Sequence, residues 1–175
     1  MNKRPSTLAE VAERSDSIED FGRHLRDWLH ELRRVSSRPQ AWAAVAAPPR
    51  KLRLRFERGN VADAWLGAYA EHLAGCVRIK PPKWAFAPWR TTADPIFDDG
   101  ATPLLRKIAL ARSPLAFKRR NLFTPAVDFP LQLRPGRPQK TIEEKRKANA
   151  ERQARFRTAR QKELLSLRLL VKRPG

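Results

Sequence analysis

Fourteen Lys/Arg and four acids fall between residues 131 and 175, a net +10 of the +19 carried by the 175-residue chain. Side chains of this type at this density do one kind of chemistry well. They neutralise a polymeric acid, and the densest common one is nucleic acid. The candidate binding residues are Arg134, Arg137 and Lys140 in a proline-rich stretch, followed by Lys145, Arg146, Asn149, Arg152, Arg155, Arg157 and Arg160. A shorter basic cluster, Lys118-Arg119-Arg120, lies between Phe117 and Phe123. It reads equally as a phosphate-contacting surface with aromatic anchors or as a core edge whose charges face water.

Other chemistry is hard to find. His24 and His30 lie nearly two helical turns apart, a poor match for a metal pair, and His72 borders a run of apolar residues. The chain has no HExxH, no Cys/His cluster, no phosphate-cradling glycine loop and no nucleophile elbow. We therefore expect no catalytic residues, no metal, no cofactor and no enzyme. A single cysteine, Cys76, excludes an internal disulfide framework and fits a reducing compartment. The N-terminus lacks the apolar stretch of a signal peptide, and no run approaches the ~20 apolar residues of a membrane span. The expectation is a soluble, cytoplasmic chain without a membrane partner.

The elements that must position these residues follow from periodicity. Thr7 with Glu10 predicts a capping box, and Ser17 opens a second helix. Its apolar positions Ile18, Phe21, Leu25, Trp28, Leu29, Leu32 and Val35 recur at intervals of three and four. Residues 40–46 predict a short helix. Lys51 to Glu57 alternates basic and apolar residues and is the best strand candidate, although a helical extension or an irregular segment fits as well. Asn60 is placed to cap a helix over 61–76. Residues 83–100, rich in aromatics and proline, read as an ordered loop, with Asp98-Asp99-Gly100 as a turn. Thr102 and Pro103 open a helix expected to bury Leu104, Leu105, Ile108 and Leu110. All five tryptophans precede Arg90, which places the core in the N-terminal part. The expected fold is mostly α: a small helical domain over 1–123, a Pro-rich linker over 124–140, and a long basic helix over 141–175, capped by Thr141 and Glu144. That helix is nearly devoid of large apolar residues before Phe156. We expect it to be frayed when free and ordered on phosphates.

Three resemblances accompany these readings. Arg134-Pro135-Gly136-Arg137-Pro138 resembles an AT-hook, which lies in the minor groove of A·T-rich DNA, except that Pro135 stands where the hook has Arg; a proline-stiffened linker is the other reading. Asn149 and Arg157, with seven residues between them, resemble the basic region of bZIP proteins, although Arg152 and Gln153 replace the usual Ala pair. The Leu run after Leu164 spans under two heptads, too short for a zipper, and is expected to dock on this core, a second copy or a partner protein. Finally, Asp63-Ala64-Trp65-Leu66-Gly67-Ala68-Tyr69, Pro82-Lys83-Trp84-Ala85, Asp94-Pro95-Ile96-Phe97 and Ser113-Pro114-Leu115-Ala116-Phe117-Lys118-Arg119-Arg120-Asn121-Leu122-Phe123 are similar to small bacterial proteins often encoded beside nucleotidyltransferase-like toxins. That resemblance covers 61–123. It implies an antitoxin-like or regulatory role with a protein partner such as a toxin. Together these point to a DNA-binding antitoxin or transcriptional regulator, with DNA favoured over RNA. The alternative is a non-enzymatic subunit of a larger protein or ribonucleoprotein complex, anchored by the basic helix.

Overall fold

The computed structural model describes residues 4–97, 102–125, 127, 129, 131 and 142–171. The chain divides into two compact units, Met1–Arg134 and Pro135–Gly175. Both are mostly helical.

The first unit is built around one apolar helix. Helices α1 (Leu8–Arg14), α2 (Ile18–Glu31) and α3 (Arg38–Ala46) come first. Each starts where a hydroxyl accepts a backbone N–H: Thr7 from Glu10, Ser17 from Asp20 and Ser37 from Gln40. A short 3₁₀ turn, Leu32–Arg34, ends α2. Helix α4 (Gly59–Val77) is buried on most of its circumference and forms the axis of the unit. A 3₁₀ turn (Lys83–Phe86) and strand β1 (Ile96–Phe97) follow, then α5 (Pro103–Arg112), α6 (Leu115–Lys118) and β2 (Leu122–Phe123). The two strands pair in parallel, Ile96 with Leu122 and Phe97 with Phe123. Tyr69 is the hub of an aromatic cluster, with ring centroids 5.8 Å from Trp28, 5.8 Å from Trp65, 5.2 Å from Phe117 and 6.0 Å from Phe129. Val127, Phe129 and Leu131 also pack on this core, so the first unit continues past residue 123.

At 51–57, of the readings the sequence leaves open, the irregular segment holds and the strand does not. No strand forms there. Leu52 is buried, Leu54 is 86% exposed, and the segment coils through successive turns. The reason lies in α4. Asp63, itself fully buried, accepts the backbone N–H groups of Leu52 at 3.2 Å and Arg53 at 3.1 Å, which removes those donors from any ladder. Gly59 closes the loop: a Cβ on it would lie 2.1 Å from the Leu52 carbonyl oxygen. The helix therefore starts at Gly59, and its cap position is Arg58 in the left-handed region (φ 61°), not Asn60.

Asp63 also faces the buried guanidinium of Arg90 at 3.6 Å. Arg90 donates to the Pro49 carbonyl at 2.9 Å and the Asp63 carbonyl at 3.3 Å. Its Cζ sits between two indoles, 4.6 Å from Trp84 and 4.3 Å from Trp89. Burial pushes the Asp63 carboxyl above the ordinary range, opposed by the two backbone N–H donors and by Arg90. Burial likewise lowers Arg90 to about 10, still charged at neutral pH.

The second departure is α5. Of its residues only Ala109 is buried, whereas Leu104 (67% exposed), Leu105, Ile108 and Leu110 face outward. The helix contacts β2, yet its larger apolar side chains are left exposed. Trp42 is likewise 41% exposed rather than a core anchor.

Candidate nucleic-acid interface

In the second unit, α7 (Ile142–Val171) is a single helix of 30 residues, ~45 Å long. Every side chain described in it is exposed, Phe156 at 67%. Among them are six cations, Arg146, Lys147, Arg152, Arg155, Arg157 and Arg160, against Glu143 and Glu151. Glu143 and Lys147, like Glu151 and Arg155, stand four apart with the acid first, the favourable order for helical charge pairs. Thr158 donates its hydroxyl to the Ala154 carbonyl at 3.0 Å. Asn149 is exposed on the same helix. Of the other expected contacts, Arg134, Arg137 and Lys140 lie outside the described residues, as do the side chain of Lys145 and the cap at Thr141.

The basic trio of the first unit divides three ways. Lys118 is committed to the end of α5, donating to the Ala111 carbonyl at 3.1 Å. Arg119 is exposed and pairs with Glu71 at 2.8 Å. Arg120 corrects the sequence reading: it is 3% exposed and built into the core. Its guanidinium donates to Glu71 at 2.6 Å, to the Ala116 carbonyl at 2.6 Å and to the Ala85 carbonyl at 2.8 Å. Gly67 makes room for it, since a Cβ there would meet Arg120 Nε at 2.8 Å. A guanidinium this deeply buried, with three of its N–H groups given to acceptors of the fold, is not presented to phosphate, so Arg120 leaves the interface.

The sequence reading missed Asp63 and Arg90 as a pair. Their types alone, one acid and one of many arginines 27 residues apart, carry no such signal. Asp63 is a buried acid with a raised pKa, the usual profile of a candidate general base. Its oxygens, however, are occupied by Leu52, Arg53 and Arg90, and its role is to fold the 51–59 loop. His72 borders the core as expected, 5.7 Å from Phe117, with Nε2 2.8 Å from the Val127 carbonyl. No group of three or more His, Cys, Asp or Glu among the described residues is placed to hold a metal ion, and no described helix is long and apolar enough to cross a membrane. No family model, curated protein or solved structure matches the chain.

Proposed function

We propose that this protein is a nucleic-acid-binding accessory protein, a DNA-binding antitoxin or transcriptional regulator in which α7 engages the polyanion and the first unit engages a protein. The observation that carries the reading is α7 itself: a 30-residue helix whose described side chains are all exposed and mostly cationic or polar. A helical stretch as polar as 143–161 gains little from packing on its own protein, and Lys/Arg on its surface release counterions when they meet phosphates. Replacing Arg152, Arg155, Arg157 and Arg160 together with Ala removes up to four phosphate contacts. The slope of log affinity against log salt should then shrink by up to ~3.6 on duplex DNA. An unchanged slope would sink the reading.

A second reading, a subunit of a larger complex, is favoured by α5. Leu104, Leu105 and Ile108 form an exposed apolar stripe bordered by Lys107 and Arg112. Exposed apolar stripes of this kind mark protein contacts. A partner that stays bound at about 1 M salt is held by that stripe, because charge contacts are screened there. A partner released at that salt is held through charge instead.

A further inference from the structure

Two residues of the first unit contradict the local backbone they occupy, and both line the same cavity. Gly22 lies inside α2, where glycine is a poor helix former. Its backbone is not in the left-handed region, and no described neighbour lies within 4 Å of where its Cβ would stand. Neither conformation nor crowding calls for the missing side chain. Gly75, the other helical glycine with such space, is simply exposed in the last turn of α4. Arg58 shows the converse. It is held at φ 61°, a region that favours glycine and tolerates Asn, yet it carries a long cationic side chain. That side chain is exposed, and no described acid pairs with it. Arg78 shares the left-handed conformation, but it closes α4, where helices commonly turn that way. Residues that defy local preference concentrate where function sets the residue type.

The shared cavity holds about 380 Å³ and opens between α2, α4 and β1. This is within the range of small-ligand sites, about 300–1,000 Å³. Its walls are aromatic: Phe21, Trp65, Tyr69 and Phe97. The Trp65 and Tyr69 rings stack, 5.8 Å apart at 29°, and Trp65 and Phe97 are only half-buried. A side chain at position 22 would enter this space. Glu19 is the second charged residue on the wall. An acid in the first turn of α2 already answers to the helix dipole, whereas Arg58 has no such local reason.

We infer that the cavity is a binding site for a small aromatic carboxylate. The ring lies among Trp65, Tyr69 and Phe97, over the bare backbone at Gly22, where aromatic groups pack stacked or edge-on. The carboxylate meets Arg58, whose guanidinium offers two parallel N–H donors. One cation beside one acid suits a monoanion better than a doubly charged phosphate.

The test titrates the full chain with 3-phenylpropionate, 3-phenylpropanol, propionate and phenyl phosphate, following the NMR signal of the Trp65 indole N–H. Phenylpropionate should move that signal to saturation and bind about tenfold more tightly than the alcohol. Propionate should leave the signal in place. Arg58→Asn should erase the tenfold advantage without changing affinity for the alcohol, and Gly22→Leu should abolish binding of both. Gly22→Ala, the smaller filling, should weaken both severalfold. All three variants should unfold at urea concentrations at or above that of the native chain, because each restores a local preference. A purely structural role for Arg58 or Gly22 predicts lower midpoints instead, and that result overturns the inference. So does an unmoved Trp65 signal with phenylpropionate, equal affinity for acid and alcohol, or tighter binding of phenyl phosphate.

Discussion

Removing the Asp63 carboxylate is the most direct way to ask what holds the first unit together. Asp63→Ala breaks a pair in which both partners are almost wholly buried, and such breakage costs about 3–5 kcal/mol when one charge is stranded. Here the lower end applies. Arg90 keeps the Pro49 and Asp63 carbonyls and its two indole faces, so its charge is not abandoned. To that is added the orphaned Leu52 N–H, a buried donor worth about 1–3 kcal/mol when unsatisfied. The effects share one loop and do not sum fully, so about 4 kcal/mol is expected. That is a large part of the 5–15 kcal/mol typical of a domain. Urea unfolding of the full chain followed by tryptophan fluorescence is the suitable assay, because all five tryptophans lie in the first unit and none in α7. Asp63→Asn, which keeps an acceptor oxygen for Leu52 or Arg53, should cost about half as much. Combining Asp63→Leu with Arg90→Met should cost clearly less than the sum of the two single changes, since it removes both charges. A loss below about 1 kcal/mol for Asp63→Ala, or strict additivity in the double variant, would refute the view that this pair anchors the loop.

Other outcomes follow from the same geometry. Because the folded state raises the Asp63 pKa, the native protein binds a proton more readily than the unfolded chain above pH 3.8. The contribution of Asp63 to stability therefore grows as pH falls through its folded pKa, and the stability gap between the native protein and Asp63→Asn should widen on acidification, read by urea midpoints across that range. Gly59→Ala should cost about 3 kcal/mol, because its methyl would meet the Leu52 backbone rather than a side chain able to move. Arg120→Ala should lower the unfolding midpoint by an amount equivalent to about 3 kcal/mol and leave the salt slope of DNA binding unchanged; a lowered slope would restore Arg120 to the interface. Leu104→Ser with Ile108→Ser should change stability by less than about 0.5 kcal/mol while raising solubility, measured by the concentration at which the protein precipitates.

Local chemistry was readable in the sequence, and long-range chemistry was not. Thr7 and Ser17 cap helices through atoms three residues away, and the α2 stripe from Phe21 to Trp28 needs only its own period to face inward. At 51–57 alternation left strand, helix and irregular segment open because it describes one segment, whereas Asp63 reaches back from a different element to take its N–H groups. The helix after Thr102 has its expected start, but its apolar residues point outward; period says which residues share a face, not whether anything covers that face. Arg90 and Arg120 could not be separated from the 35 other Lys/Arg by type, because burial of a guanidinium depends on acceptors such as Pro49 O and Ala85 O, contributed by distant backbone.

The clamp beneath the 51–59 loop divides that segment into positions with very different freedom. Leu52, Gly59 and Asp63 form a closed base in which a single extra carbon collides with backbone. Leu54, at the apex, touches almost nothing. Drift over generations should therefore concentrate at the apex while the base stays fixed. For the engineer the same asymmetry offers a place to graft a peptide epitope or a short tag between Arg53 and Arg55, carried on a mount that the fold already holds rigid.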